Sequence, residues 1–197
     1  MDPNLLYQIT RVLKARGKIR VLTPKYIQKT VLELAQQFHN EGNYNFAIQS
    51  VEWLLKAYRR TLKPEDLNIL LCLGKLVYYC AMDRNFIKAI EIGEEGLELH
   101  MKVLGPEHPD TLLIWNHLSI CLRENGDLDR ALELGEQCYK MRISVLGSTD
   151  PDTINSLNNI TRIREKIENQ RANHNVNMIA SVNTTMSVSA IVSNNPD

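Results

Sequence analysis

The sequence predicts an all-α protein, a right-handed superhelical α-solenoid built from antiparallel helix pairs. The first observation is a repeated segment, because KVLGPEHPDT at 102–111 returns as SVLGSTDPDT at 144–153, 42 positions later. The second is that Ala47, Ala89 and Ala131 are also 42 residues apart, and each is followed by Ile or Leu. A fixed period of roughly 20 to 50 residues is typical of solenoids, in which each helical unit buries its apolar face against the next.

Within one period, two helical segments are separated by a turn. Apolar side chains with three-and-four spacing indicate a buried face on the first segment, namely Leu112, Trp115, Leu118 and Leu122. Gly126 in the turn ENGD can adopt the left-handed conformation that ends a helix. The second segment carries small residues at Ala131, Gly135 and Cys138, which let a neighbouring helix approach closely.

The same pattern gives the order of elements along the chain. Residues 1–22 are predicted to form a basic N-terminal helix and a degenerate half repeat. Residues 23–171 are predicted to hold three repeats, at about 24–62, 65–104 and 107–146, and a capping helix at about 152–170. Apolar residues lie along one side of this last helix with polar residues opposite, as a terminal cap requires. They are Ile154, Leu157, Ile160, Ile163 and Ile167.

Residues 172–197 are predicted to be a disordered tail. Their composition shifts to Asn, Ser, Thr, Val and Met, without Gly or Leu, and such a segment buries too little apolar surface to offset the entropy of ordering. The alternating segment MSVSAIVS at 186–193 leaves a short strand as the alternative.

Composition restricts the class of protein. The 23 basic and 23 acidic side chains give a formal net charge of zero, so no global field favours nucleic acid or a membrane surface. We expect no membrane span, because the sequence has no apolar run of about 18 residues. The four cysteines lack CxxC spacing and are expected to be reduced and buried in helices. Since no signal peptide is visible, we expect a cytoplasmic protein.

The first 29 residues form a basic segment, with seven Lys or Arg against one Asp. We interpret it as a solvated helix, and an acidic or membrane-surface partner is the alternative.

The sequence does not predict an enzyme. His117 and Cys121 lie four apart on one helix and are the best candidates for a catalytic or metal-binding pair. Two ligands do not complete a zinc site, and a Cys/His nucleophile needs an orienting third group and an oxyanion hole. The glycines are dispersed, so no phosphate-binding loop is formed. We therefore expect no cofactor, no metal and no catalysis.

The repeat resembles the tetratricopeptide repeat. Counted back from Ala131, the residues Trp115, Leu118 and Leu122 fall where that repeat places its Trp, Leu and Tyr, and Ala131 falls on its alanine. The 42-residue period and the segment VLGPEHPDTLLIWNHLSICLRENGDLDRALEL resemble the long repeats of kinesin light chains and nephrocystin-type proteins. The resemblance is strongest over 86–160, moderate over 23–85 and absent in the tail.

This resemblance implies that the first helix of each repeat lines a concave groove that binds a peptide segment. The candidate groove residues are Lys29, Gln36, His39, Tyr78, Asn116, Arg123, Asn155, Asn158 and Arg162. An apolar centre and a basic, amide-rich C-terminal third would suit a peptide with an apolar anchor followed by acidic residues. Alternatives stay open: the asparagines are only solvated, the two arginines pair with local glutamates, and Tyr78 belongs to the core.

The predicted function is a non-catalytic scaffold for a protein or peptide partner, without nucleic acid. The alternative is a self-associating structural or regulatory module. The polar side of 152–170 argues against stacking at the C-terminal end, which leaves the N-terminal end open as the place where such a module could form a homo-oligomer.

Overall fold

The computed structural model describes the backbone of Arg11 and of residues 24–193. Over 24–193 the chain forms seven α-helices and no strand, which confirms the predicted all-α solenoid. The helices are α1 (Pro24–Asn40), α2 (Tyr44–Thr61), α3 (Leu67–Met82), α4 (Phe86–Val103), α5 (Pro109–Asn125), α6 (Leu128–Leu146) and α7 (Pro151–Ser193). The helix predicted within 1–22 lies outside the described residues, apart from Arg11.

The helices form two layers. Each helix packs against its neighbours in sequence, and α3 also contacts α5, as α5 contacts α7. Hence α1, α3, α5 and α7 form one layer, and α2, α4 and α6 form the other. The pairs α1–α2, α3–α4 and α5–α6 fall within the predicted repeats of 24–62, 65–104 and 107–146, which remain our interpretation of where each repeat begins and ends.

The turn inside each pair has the same geometry at 42-residue intervals. Gly42, Arg84 and Gly126 have positive φ angles of 74°, 59° and 92°, the left-handed conformation that ends a helix. The residue after the first two turns caps the second helix of the pair, because the side chains of Asn43 and Asn85 accept hydrogen bonds from backbone N–H groups of that helix.

Small residues let the two layers approach closely. Ala89 and Ala131 are fully buried. A Cβ atom on Gly135 of α6 would lie 3.0 Å from Ser119 Oγ of α5 and 3.4 Å from Ile160 Cγ1 of α7. The predicted stripe of small residues therefore lies between helices, where a larger side chain would overpack.

Ion pairs between exposed side chains connect α2 with α4, α4 with α6, and α6 with α7. Lys88 on α4 pairs with Glu52 on α2 at 2.7 Å, and Arg164 on α7 pairs with Glu136 on α6 at 2.7 Å. Two further pairs of the same kind are Arg59 with Glu95 and Arg130 with Glu94. Exposed pairs of this kind contribute about 0–1 kcal/mol each, so the core and not this surface holds the helices together.

The last helix continues beyond its predicted end. We expected a cap at about 152–170 and disorder over 172–197, but α7 extends to Ser193 and includes the segment for which a strand was the alternative. No Gly or Pro occurs between 152 and 193 to end the helix. Beyond Ile167, the side chains at 168–175 are exposed, so this extension has little packing to stabilise it.

Only part of the predicted apolar side of α7 is buried. Ile160 and Ile163 are 2% and 0% exposed, whereas Ile154 and Leu157 are 45% and 42% exposed. One repeat earlier, the equivalent residues Leu112 and Trp115 are buried because Cys138 and other side chains of α6 pack against them. Within the part of the chain that the structure describes, no helix covers α7 in this way, so Ile154 and Leu157 remain open to solvent.

Polar contacts attach α7 to the preceding pair. Arg142 of α6 is only 2% exposed, and its Nη1 atom donates to the backbone oxygen of Asp152 at 2.6 Å and to Ser156 Oγ at 2.9 Å. Ser156 in turn donates to Asn116 Oδ1 of α5 at 3.1 Å. A buried guanidinium that is this well bonded fixes the first turn of α7 in place.

Candidate peptide groove

The layer of first helices contains a cavity of about 370 Å³ between α1, α3 and α5. Its apolar lining comes mainly from Leu71, Tyr78 and Leu113. Gly74 and His117 also line it, and its remaining polar residues include Gln36, Lys75 and Asp110. A concave and largely apolar space with a few polar groups is the usual form of a binding site.

The two leucines of this cavity are unusually exposed for their type. Leu71 is 43% exposed on α3, and Leu113 is 45% exposed at the position 42 residues later on α5. Full burial of a leucine side chain is worth about 1.5–3 kcal/mol. A ligand that covered both side chains would gain part of that free energy.

One wall of the cavity is an aromatic cluster. The ring of His39 lies 5.1 Å from Tyr78 and 5.3 Å from Tyr79 between centroids, and Tyr78 lies 5.6 Å from His117. The hydroxyl of Tyr78 is 3.3 Å from Nε2 of His39. These contacts connect α1, α3 and α5 and hold the wall in one arrangement before any ligand binds.

The cavity contains little fixed charge. Burial, with a smaller effect from Arg142, lowers the pKa of His117 to about 4, so its imidazole is neutral at pH 7. Lys75 and Asp110 carry opposite charges among the lining residues. The site therefore favours an uncharged group inside the cavity.

Four of the predicted groove residues lie on α1 and α3. Gln36 and Tyr78 line the cavity, and His39 belongs to the aromatic cluster. Lys29 is exposed on α1, with its Nζ atom 3.8 Å from Glu33 Oε1. Three of the predicted residues therefore lie at or beside one cavity.

Asn116 and Arg123 occupy a different environment from the one expected. They are 7% and 8% exposed, and Asn116 accepts the hydrogen bond from Ser156. Arg123 donates to Glu124 and to Asn159 of α7. Because α7 packs over α5 here, we assign both side chains to helix packing and not to the groove surface. The pairing of Arg123 with Glu124 was the alternative that the sequence left open.

The remaining predicted residues lie on α7. Asn155, Asn158 and Arg162 are all exposed and lie outside the lining of the cavity. Among the described residues no acidic side chain forms an ion pair with Arg162, including the predicted Glu165. By contrast, Lys166 pairs with Glu124 at 3.1 Å.

Sequence reasoning missed part of the site. Gly74, Lys75 and Tyr79 line the cavity but were not predicted as groove residues. The sequence does mark Gly74 as unusual, because the equivalent positions of the other repeats carry larger residues, Leu32, Asn116 and Asn158. A glycine inside a helix at such a position needs a local reason.

Burial of Cys121 and His117 disfavours the charged forms that a Cys/His nucleophile requires. Burial raises the pKa of the Cys121 thiol to about 12 and lowers that of His117 to about 4. Both shifts favour the neutral pair, whereas a reactive pair needs a thiolate beside an imidazolium. Over the described residues no group of three side chains is placed to hold a metal ion. Within that same part of the chain, no helix has the length and apolar character to cross a membrane.

Comparison with known proteins agrees with this fold. Residues 77–144 match the family model of the tetratricopeptide repeat. No curated protein sequence matches the chain significantly.

Solved structures with low sequence identity share the architecture. BtubC (BKLC) from P. vanneervenii has a TM-score of 0.69 at 19% identity, covering 96% of this chain and 73% of its own. A predicted kinesin light chain of Podospora anserina with nearly identical TPR-like repeats has a TM-score of 0.67 at 21% identity, covering 90% and 85%. A point-substituted form of that protein gives 0.69 at 21%, covering 91% and 85%. The predicted resemblance to tetratricopeptide repeats of the kinesin light chain type is confirmed.

Proposed function

We propose that this chain is a non-catalytic scaffold that binds an extended peptide segment across its layer of first helices. Tetratricopeptide repeats generally mediate interactions between proteins. The observation that carries the proposal is the cavity between α1, α3 and α5, in which Leu71 and Leu113 are nearly half exposed beside a preformed aromatic wall. A bound apolar side chain would cover this surface without rearranging the helices.

The polar groups around the cavity indicate the chemistry of the peptide. Lys75 and Arg162 form no ion pair with another described residue, so each is available to pair with a carboxylate of a ligand. Asn155 and Asn158 are exposed on α7 and can bond a peptide backbone. The proposed ligand therefore combines an apolar anchor with acidic residues, and its free energy of binding for one short segment is about −8 kcal/mol, the micromolar range.

The cytoplasm remains the proposed compartment. The four cysteines are buried as free thiols. Burial raises the pKa of Cys72 to about 12 and that of Cys80 to about 11. Protonated and inaccessible thiols suit a protein that does not depend on disulfides.

A library of peptides tests the groove directly. Wild-type protein is compared with Leu113→Glu, which adds a charge to the cavity, and with Ile87→Glu, a matched change at a residue that is 66% exposed on α4. We expect peptides with an apolar and acidic consensus to bind the wild type and the Ile87→Glu variant and to bind Leu113→Glu at least tenfold more weakly. Equal binding to all three folded proteins would contradict the groove proposal.

Self-association is a second candidate function, now with a specific observation at the C-terminal end. Ile154 and Leu157 are exposed at positions where the previous repeat buries its apolar side chains. The predicted association through the N-terminal end involves residues outside the described range. Sedimentation over a range of concentrations, with Leu157→Glu and a chain lacking residues 1–20, tests the two ends separately. A monomer at every concentration would exclude this function.

A further inference from the structure

Four glycines lie inside helices of the described chain, and three of them are explained by close packing. A Cβ atom on Gly96 would lie 2.5 Å from Ile114 Cδ1, and one on Gly93 would lie 3.0 Å from Leu118 Cδ1. Gly135 has Ser119 Oγ at the same 3.0 Å. At each of these places a buried side chain of a neighbouring helix would have to shift to admit a larger residue, most of all at Gly96.

Gly74 on α3 has no such explanation. An added Cβ atom would meet no heavy atom within 4 Å, and the backbone of Gly74 is ordinary helix without a positive φ angle. Glycine in a helix interior lowers stability by about 1 kcal/mol relative to alanine. Packing and backbone conformation therefore give no reason for a glycine at this position.

The open space above Gly74 is the cavity of the groove. Gly74 lines it together with Leu71, one turn earlier on α3, and Tyr78, one turn later. Leu113 and His117 line it from α5. At the equivalent positions the other first helices carry Leu32, Asn116 and Asn158. A side chain of that size at position 74 would project into this space, so the glycine keeps the cavity open.

We propose that Gly74 forms the floor of a side-chain pocket that selects a large, uncharged apolar residue, such as Leu, Met or Phe, in the peptide that the groove binds. This inference rests on the proposed function and adds the residue that sets the size of the anchor. Gly74 is thus a specificity-determining residue. Glycine at this position lowers the stability of the helix, and the open pocket that it provides for the ligand accounts for its presence.

The neighbouring charges define the rest of the ligand. Lys75 and Asp110 lie among the lining residues with opposite charges, so a charged anchor would find no net countercharge inside the pocket. Arg162 is exposed on α7, one first helix beyond α5. Packed helices lie about 8–10 Å apart. The pocket lies between α3 and α5, one to two such spacings from α7, so about 10–20 Å separates it from Arg162. An extended chain spans this in about three to six residues, which is the expected distance from the anchor to an acidic residue.

Two substitutions at one position test the pocket. Gly74→Asn introduces the residue found at 116 and 158, and Gly74→Ala adds only a methyl group. The probe is a set of short labelled peptides of Gly and Ser with one variable anchor and an aspartate about three to six positions away. Binding is measured by fluorescence anisotropy, and stability by urea unfolding of the same samples. Leu113→Glu reports on the groove as a whole.

We expect wild type to prefer Leu, Met and Phe anchors over Ala and Asp by at least tenfold. Gly74→Asn should lose that preference and bind at least tenfold more weakly, although Gly74→Ala and Gly74→Asn fold at least as stably as wild type. If Gly74 were needed only for packing, its substitution could not weaken peptide binding and leave the stability of the fold unchanged.

The possible failures are distinguishable. If peptides bind wild type and lose affinity with Leu113→Glu, but Gly74→Asn keeps the same affinity and anchor preference, the pocket is wrong and the groove proposal stands. If Gly74→Asn or Gly74→Ala unfolds at lower urea than wild type, Gly74 has a packing role and the inference is overturned. If no peptide binds wild type, the proposed function fails and the pocket with it.

Discussion

The substitution Gly96→Ala should destabilise the fold relative to the same change at Gly74. Both residues lie inside helices, so alanine gains about 1 kcal/mol of helix propensity at each. At Gly96 the new methyl group would lie 2.5 Å from Ile114 Cδ1 and 3.4 Å from Leu73 Cβ, and Ile114 is only 1% exposed. Ile114 has to leave its rotamer or the helices have to separate, and overpacking of this kind costs about 1–3 kcal/mol.

The expected difference between the two variants is therefore about 1–3 kcal/mol, because the propensity gain cancels in the comparison. Gly74→Ala should be about 1 kcal/mol more stable than wild type, and Gly96→Ala should be no more stable than wild type. The free energy of unfolding is measured by urea denaturation with far-ultraviolet circular dichroism, provided that the slope with urea is unchanged. Equal stability of the two variants would refute the assignment of Gly96 to a tight helix contact.

Three further measurements test other parts of the fold. Arg84→Gly should raise the free energy of unfolding by about 0.5–1 kcal/mol in urea denaturation, because Arg84 has a φ of 59° where the equivalent turns use glycine. Between pH 7 and pH 5 the free energy of unfolding should fall by about 2 kcal/mol more in wild type than in His117→Gln, where buried His100, whose pKa is also lowered, still contributes its own loss. The unfolded imidazole takes up a proton below about pH 6.5, whereas the folded one does so only near pH 4. Hydrogen exchange should be fast over 172–193 and slow in α5, because the α7 side chains at 168–175 are exposed.

The fold was predictable because helix packing repeats along the chain. The three alanines 42 residues apart are fully buried, and Gly42 and Gly126 mark the turns within two of the pairs. Every repeat has to bury the same face against the next, so the same residue types return at the same positions. Arg84 shows where this reasoning stops, since a residue with no preference for the left-handed conformation occupies the equivalent turn.

The groove was only partly predictable because exposure depends on which helix follows. Asn116 and Asn158 are equivalent in the repeat, but α7 covers Asn116, whereas no helix of the described range covers Asn158. The same argument applies to Leu112, which α6 buries, and to its equivalent Ile154, which stays exposed. A single repeat pattern cannot separate these cases, because the position within the array decides which side of a helix meets solvent.

Two pairs of exposed apolar side chains on the layer of first helices differ in the packing around them, which indicates different roles. Ile154 and Leu157 are exposed because no second helix packs on α7 within the described residues. Leu71 and Leu113 lie in the interior of the array, with helices on both sides, and they surround a glycine that packing does not require. A second helix packed on α7 would bury Ile154 and Leu157, but it would leave Leu71 and Leu113 exposed. Leu71 and Leu113 occupy equivalent positions of two repeats and are exposed although helices flank them on both sides. The cavity that they line is therefore the stronger candidate for a functional site.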